Sequence, residues 1–171
     1  MKEAMIIAVS MTAAFIFIII ANIAGKKTGR QMDSQFDERQ IIARNKAYMT
    51  GFFVILLLIL ADVLLKMTAS AFYVDPLGEL SAVFIGIGVF AILAIWNDAF
   101  LMPAQKPGLM SLLYGVIAAE RMLRFLFSLR AGECFSEGKL TLSNINGVIG
   151  ITFFAILAAL LLKQRSSRSE D

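Results

Sequence analysis

The sequence predicts an all-α fold, a polytopic bundle of transmembrane helices that forms one domain over residues 1–171. Hydrophobic residues make up 58% of the chain and the mean hydropathy is +0.76. A water-soluble fold of this size has too little interior to bury so many apolar side chains. In addition, apolar segments long enough to cross a bilayer occupy well over half of the chain, and residues 25–48 form the main polar connection between them.

Five apolar segments are candidates for membrane spans, at residues 4–24, 49–66, 80–102, 109–129 and 145–162. The first is longer than the core of a signal peptide and ends without a small-residue cleavage site, so we expect it to remain as a helix. No Pro or Gly lies between residues 35 and 51, which predicts that the second span continues from a cytoplasmic helix extension over residues 35–48. Pro103 and Pro107 are expected to end the third span.

The fourth apolar segment is ambiguous because it contains Glu120, Arg121 and Arg124. These charges share one arc of a helical wheel, so the helix either lies flat in the membrane interface or crosses with its polar face toward other helices. The distribution of cations favours five spans, with the N-terminus outside and the C-terminus in the cytoplasm. Four spans plus one interfacial helix is the alternative. In the five-span topology Cys134 lies in an outer loop, where we expect it to be accessible.

The composition argues against an enzyme. Histidine is absent, which removes the commonest metal ligand and the commonest general base near neutral pH. The single cysteine cannot form an intramolecular disulfide, and neither a Gly-x-Ser-x-Gly motif nor a phosphate-binding Gly-rich loop occurs. We therefore expect no catalytic residues, cofactor or metal site. The pI near 9.2 reflects cations at the ends of apolar segments, which anchor to lipid phosphates, and no nucleic-acid partner is expected.

The cytoplasmic helix extension carries a candidate surface for a partner protein. This surface consists of Asp37, Glu38, Arg39, Arg44 and Lys46, all presented on a helix that continues into the membrane. The alternative interpretation is structural: the acids stabilise a helix N-terminus, and the three cations contact lipid headgroups.

A second candidate site consists of charged and polar residues predicted to lie in or beside the membrane, where such groups are rare. Glu120 and Arg124 are expected to form an ion pair because they are four residues apart on one helix. The functional alternative to this structural ion pair is that Arg121, which has no acid four residues away, binds an anion or pairs with Asp98 or Asp62 on another helix. The complete set is Glu120, Arg121, Arg124, Asp62, Lys66, Asn97 and Asp98.

Two short motifs resemble a known group of proteins. Asp37-Glu38-Arg39-Gln40, followed by Lys46-Ala47 and an apolar span, resembles the opening of small multi-pass membrane proteins of unknown function from Gram-positive bacteria. Trp96-Asn97-Asp98-Ala99-Phe100 resembles an aromatic-x-Asp-Ala-aromatic element that follows a later span in that group. The Asp-Glu-Arg element usually lies near the N-terminus there, so residues 4–24 would be an addition. The resemblance implies a bacterial cytoplasmic membrane protein and makes a small helix-turn-helix regulator conceivable as a partner.

Two classes of function remain. The first is a non-enzymatic membrane adaptor, sensor or regulator that acts through residues 25–48, with the lipid bilayer and a cytoplasmic protein as partners. The alternative is a small oligomeric transporter, channel or immunity protein that uses the charges of the fourth segment. The second class is less favoured because no discontinuous helix pair or inverted repeat is visible.

Overall fold

The structure is a computed structural model that describes residues 36–68, 72–101 and 107–168. The predicted first span, residues 4–24, and the predicted helix start near residue 35 lie outside these residues. The described elements are four α-helices, a short β-hairpin and one 3-10 turn: α1 (Glu38–Met67), α2 (Leu77–Trp96), α3 (Pro107–Arg130), β1 (Phe135–Ser136), β2 (Lys139–Leu140), the 3-10 turn (Leu142–Asn144) and α4 (Ile145–Arg168). The helices belong to one compact unit, Glu38–Asp171.

Three of the described helices are long and apolar enough to cross a membrane: α1, α2, and α4 together with the turn that precedes it. Helix α3 also has 24 residues, but it carries Glu120, Arg121 and Arg124 within its length and is not among the three. The prediction of a mostly helical protein is therefore confirmed, with three described helices as candidate membrane spans. The count of five spans stays a prediction.

Helices α1 and α2 pack antiparallel through two glycines. A Cβ atom at Gly51 would lie 2.9 Å from the carbonyl oxygen of Gly86, and a Cβ atom at Gly86 would overlap the side chain of Ile55. Small residues at a helix crossing let the backbones approach, which is the usual way that helices associate in lipid. The sequence therefore places glycine where α1 and α2 come closest.

Helix α4 packs against both α2 and α3. It runs parallel to α2, where a Cβ atom at Gly88 would lie 2.9 Å from Cγ2 of Thr152. It runs antiparallel to α3, where a Cβ atom at Gly150 would lie 3.2 Å from the backbone nitrogen of Met122. The main buried cluster lies between α2 and α4 and consists of Ala91, Ile95, Ile156, Ala159 and Leu160.

The end of α2 differs from the prediction. The apolar segment was expected to run from residue 80 to residue 102, but the helix spans Leu77–Trp96. Asp98 has a φ of 55°, and the amides of Asp98 and Ala99 donate to the carbonyls of Ile95 (3.2 Å) and Ala94 (2.8 Å). This is the Schellman arrangement, in which a residue in the left-handed region closes a helix. The helix therefore ends before it reaches Pro103, and Pro103 does not terminate it.

The bounds of the other helices differ from those of the predicted apolar segments, because a helix can continue into polar residues beyond an apolar segment. Helix α1 begins at Glu38, near the expected start of the cytoplasmic extension. Helix α3 covers Pro107–Arg130 against the expected 109–129, and α4 extends to Arg168 although its apolar segment ends near residue 162. Polar and charged residues such as Lys, Gln and Arg are good helix formers, so they continue α4 beyond the apolar run.

The loop predicted at residues 130–144 contains a β-hairpin that the sequence analysis did not anticipate. Its two turn residues, Glu137 and Gly138, have φ angles of 51° and 76°, as a type I′ turn requires. Leu140 also pairs with the loop between α1 and α2. Its amide donates to the carbonyl of Phe72 (2.8 Å), and its carbonyl accepts from the amide of Val74 (2.9 Å). The hairpin thus joins two loops at one end of the bundle.

Cys134 lies beneath this hairpin and is 1% exposed. Its carbonyl accepts hydrogen bonds from the amide of Thr141 (3.0 Å) and from the side-chain amide of Asn144 (2.7 Å). The expectation that Cys134 is accessible is therefore wrong, because the hairpin folds back over a loop that was predicted to be open.

The bundle has two distinct ends. The hairpin end contains the loops that follow α1 and α3, and the junction end contains the start of α1 and the end of α2. Along α2, the distance from Gly78 to Trp96 is about 27 Å at 1.5 Å per residue. This is close to the roughly 30 Å thickness of a bilayer's hydrocarbon core. Helix α2 is thus long enough to span the hydrocarbon core of a membrane.

Candidate functional site

Asp98 joins three helices at the junction end. Its carbonyl oxygen accepts a hydrogen bond from Nε2 of Gln40 at 2.8 Å, and its Oδ2 lies 2.9 Å from Nζ of Lys163. The same Nζ lies 3.4 Å from the carbonyl oxygen of Trp96. Helices α1, α2 and α4 therefore meet at one residue. We call Gln40, Asn97, Asp98 and Lys163 the Asp98 junction.

The end of α2 explains why this geometry forms. The last carbonyls of a helix have no partner within the helix and carry partial negative charge. The left-handed conformation of Asp98 closes the helix there, and the Lys163 ammonium lies beside both the Trp96 carbonyl and the Asp98 carboxylate. The side-chain amide of Asn97 donates to the carbonyl of Leu93 at 2.7 Å. These contacts satisfy carbonyl groups at the end of α2 that have no partner within the helix.

A cleft of about 310 Å³ opens between α1 and α2 beside the junction. From α1 it is lined by residues three or four positions apart, which share one face of the helix. From α2 it is lined by Leu93 and Asn97. We call it the Arg39 cleft; its lining residues are Arg39, Ile42, Ala43, Lys46, Ala47, Thr50, Leu93 and Asn97.

The five residues predicted as a partner surface divide between two faces of α1. Arg39 and Lys46 line the Arg39 cleft. Arg44 instead contacts Tyr48: its guanidinium carbon lies 5.7 Å from the centre of that ring, and its Nη2 lies 3.4 Å from the hydroxyl oxygen. Glu38 is exposed at the first residue of α1, and the exposed Asp37 precedes it. Of the five residues, Arg39 and Lys46 therefore border the cleft, and the other three do not line it.

The seven residues predicted as an intramembrane polar site lie in three separate places. Asp62 and Lys66 are at the hairpin end, Asn97 and Asp98 are at the junction end, and Glu120, Arg121 and Arg124 lie between them on α3. The structure therefore does not bring these seven candidates together in one site. Side chains at the two ends of α2 are separated by about the thickness of the hydrocarbon core, so they cannot converge.

Lys66 at the hairpin end contacts three carboxylates. Its Nζ lies 2.8 Å from Oδ2 of Asp62, 2.6 Å from Oδ1 of Asp75 and 2.6 Å from Oε1 of Glu79. The hydroxyl of Tyr73 donates to Oδ1 of Asp62 at 2.6 Å, and this hydrogen bond together with burial raises the pKa of Tyr73. We call these five residues the Lys66 cluster.

The Lys66 cluster is buried at Asp62, whereas Lys66 is partly buried and Asp75 is exposed. Asp62 is 5% exposed. A Cβ atom at Gly78 would overlap its carboxylate and would come within 2.9 Å of Cε2 of Tyr73. Only glycine fits between these two side chains, so the cluster and the first turn of α2 form one packed unit. The Lys66 cluster therefore links α1, the loop that follows it and α2.

On α3, Glu120 pairs with both neighbouring arginines. Its Oε1 pairs with Nε of Arg124, as predicted, and its Oε2 lies 3.1 Å from Nε of Arg121. Nη1 of Arg121 donates to Oδ1 of Asn146 at 3.2 Å. The expectation that Arg121 pairs with Asp98 or Asp62 is therefore wrong. Glu120, Arg121 and Arg124 are 40%, 39% and 66% exposed, and we call them the α3 charge stripe.

The chain matches no protein-family model, no curated protein and no solved structure. The resemblance to small membrane proteins from Gram-positive bacteria therefore rests on its two motifs. In the structure these motifs touch, because Gln40 belongs to the first and Asp98 to the second. Arg39 and Asn97, one from each motif, also line the same cleft.

Several residues of these clusters escaped the sequence analysis as site residues. Lys163 is one of the cations whose distribution favours the five-span topology, and the sequence analysis gave it no other role. Tyr73, Glu79 and Asn146 were not singled out. Each contacts a partner on another element, at sequence separations from 11 to 65 residues. No local pattern in the sequence marks such pairs. The nearest signal was the excess of acids around the Asp75-Pro76 turn, opposite an apolar helix that ends in Lys66.

Proposed function

We propose that this protein is a non-enzymatic integral membrane adaptor, sensor or regulator that acts through the junction end of the bundle. The observation that supports this proposal is the contact between Gln40 and Asp98, 58 residues apart, which brings the two motifs of the resemblance together. The same residue pairs with Lys163 of α4. A protein that binds here would therefore contact three helices at once, and its binding would bias their packing.

The charge distribution supports a cytoplasmic location for the junction end. Cations on the cytoplasmic side determine the orientation of membrane proteins. The cations of the described junction end are Arg39, Arg44, Lys46, Lys163 and Arg165, accompanied by three acids: Asp37, Glu38 and Asp98. Those of the described hairpin end are Lys66, Arg130 and Lys139, accompanied by five acids: Asp62, Asp75, Glu79, Glu133 and Glu137. We infer that the C-terminus is cytoplasmic.

The packing of α3 supports a crossing rather than an interfacial position. Helix α3 runs antiparallel to α4 along its length, from the ring contact of Tyr114 with Phe153 (5.8 Å between centroids) to Phe125 beside Gly147. A helix that follows a spanning helix over this distance crosses with it. With residues 4–24 as a further span, the chain has five spans and an external N-terminus, in the bacterial cytoplasmic membrane that the resemblance implies.

The partner that this proposal expects is a cytoplasmic protein, for which a small helix-turn-helix regulator is the candidate that the resemblance suggests. The test is an in-cell crosslinking pull-down with Asp37→Lys and Glu38→Lys combined. Charge reversal at the start of α1 should reduce partner recovery at least tenfold while membrane insertion is unchanged. The matched control reverses two exposed acids of the hairpin end, Glu133→Lys with Glu137→Lys, and should retain recovery.

The α3 charge stripe favours one alternative, a small oligomeric transporter, channel or immunity protein. Charges on a helix that crosses a membrane are rare and mark transport paths in many proteins. If Arg121→Gln abolishes a solute flux in reconstituted vesicles, and the Asp37 and Glu38 reversal leaves that flux and the pull-down unchanged, the adaptor proposal fails and this alternative replaces it.

A further inference from the structure

We propose that the Arg39 cleft binds the phosphate of an anionic phospholipid from the leaflet at the junction end. This inference goes beyond the adaptor proposal and does not depend on it. It rests on three properties of the cleft: cations that have no acidic partner among the described residues, a depth that matches the membrane interface, and a mixed polar and apolar lining.

The first property is uncompensated positive charge. Arg39 and Lys46 are exposed, and neither forms an ion pair within the described residues. Lys66, Arg121 and Lys163, by contrast, each pair with a carboxylate. Arg39 and Lys46 are seven residues apart, so they lie two turns apart on one face of α1. Two cations on one face of a cleft attract an anion, and guanidinium and ammonium groups are the usual donors to phosphate.

The second property is depth. At 1.5 Å per residue, Lys46 lies about 24 Å along α1 from Asp62, and Arg39 lies about 35 Å from it. The hydrocarbon core of a bilayer is about 30 Å thick. If the Lys66 cluster lies at one interface, Lys46 and Arg39 bracket the other. A phosphodiester there lies between the two cations without leaving the headgroup layer.

The third property is the lining. Ile42, Ala43, Ala47 and Leu93 form an apolar floor. The hydroxyl of Thr50 donates to the carbonyl of Lys46 at 3.0 Å, and the side-chain amide of Asn97 donates to the carbonyl of Leu93 at 2.7 Å, so the two cations are the charged donors that the lining offers to a ligand. The volume of about 310 Å³ is at the lower limit of the roughly 300–1,000 Å³ of small-molecule sites. The cleft therefore has room for a headgroup and the glycerol beside it, while the acyl chains stay in the bilayer.

The experiment uses the full-length protein in detergent micelles and titrates palmitoyl-oleoyl phosphatidylglycerol against phosphatidylcholine with the same chains. Native mass spectrometry measures the bound lipid. We expect saturable binding that favours phosphatidylglycerol. Arg39→Gln with Lys46→Gln should weaken it about 25-fold, because each cation beside an anionic headgroup contributes about fivefold. The control, Arg130→Gln with Lys139→Gln at the hairpin end, should change it less than twofold.

A second variant separates the cleft from diffuse electrostatic attraction. Ala43→Leu fills the cleft without changing charge, so it should weaken phosphatidylglycerol binding at least fivefold, whereas Ala43→Gly should not. If Ala43→Leu binds phosphatidylglycerol as wild type does, the cleft is not the site. If Ala43→Leu fails to fold, the Gln variants at exposed positions decide: affinity within twofold of wild type overturns the proposal.

A third comparison identifies the source of the phosphate. Inorganic phosphate at equal ionic strength to a chloride control should not displace phosphatidylglycerol, because it has no apolar portion to occupy the floor of the cleft. Full displacement by inorganic phosphate would mean that the cleft takes a soluble anion and would overturn the lipid assignment. The Asp37 and Glu38 reversal should leave lipid binding intact, so failure of the adaptor proposal and failure of this one are distinguishable.

Discussion

The two ends of the bundle use charge in opposite ways. At the hairpin end, the Lys66 ammonium is surrounded by three carboxylates, one of which belongs to the buried Asp62. At the junction end, Arg39 and Lys46 line a cleft and have no carboxylate partner within the described residues. A cation that is already paired with carboxylates has little capacity to bind a ligand, but its loss leaves a buried carboxylate without its counter-charge. An uncompensated charge at the surface contributes little to folding and remains available for binding.

The largest effect on stability should come from breaking the Lys66 cluster. Lys66→Met removes the shared cation and leaves the Asp62 carboxylate buried without its counter-charge. Because half of a buried pair is worse than no pair, we expect a loss of about 3 kcal/mol in the free energy of unfolding. Unfolding in mixed micelles with increasing dodecyl sulfate measures it.

Lys139→Met is the control for this prediction, because Lys139 is an exposed cation at the same end. It should change the free energy of unfolding by less than about 0.5 kcal/mol. Equal losses in the two variants would show that the Lys66 cluster is solvated, and the contrast between the two ends would disappear.

At the junction end, conformation should matter more than charge. Asp98→Val puts a β-branched residue at a φ of 55°, which should cost about 1–2 kcal/mol. Asp98→Gly removes the exposed ion pair with Lys163 but suits the left-handed region, so its cost should stay below about 0.5 kcal/mol. Thermal unfolding of both variants measures the difference. A glycine variant as unstable as the valine variant would mean that the ion pair dominates.

The smallest effect should come from the cleft cations. Arg39→Gln with Lys46→Gln removes two like charges that have no acidic partner in the part of the chain that the structure describes, and glutamine keeps the helix propensity. The free energy of unfolding in phosphatidylcholine micelles should therefore change by less than about 0.5 kcal/mol. A loss above about 2 kcal/mol would show that these cations stabilise the fold, as we expect of Lys66 at the hairpin end.

Two helix ends show how far the sequence could predict this fold. Helices α2 and α3 both end in a Schellman arrangement, with Asp98 and Gly132 in the left-handed region. Gly132 is the residue type expected there, and the predicted end of the fourth segment at residue 129 lies within one residue of Arg130. Asp98 is an unusual residue at that position, and the apolar run beyond it favoured a longer helix. The predicted boundary was therefore wrong where the cap was made by a residue other than glycine.

The sequence by itself predicted which segments are helical and apolar enough to cross a membrane, because the cost of placing apolar or polar side chains in lipid is a sum of local contributions along each segment. It also identified some of the charged residues, such as Asp62, Lys66 and Asp98. The tertiary structure alone decided which of them meet. Gln40 with Asp98, Asp98 with Lys163, and Arg121 with Asn146 are brought together by the packing of glycine and alanine faces on different helices. Such pairings depend on the register between distant segments, which no local pattern along the chain encodes.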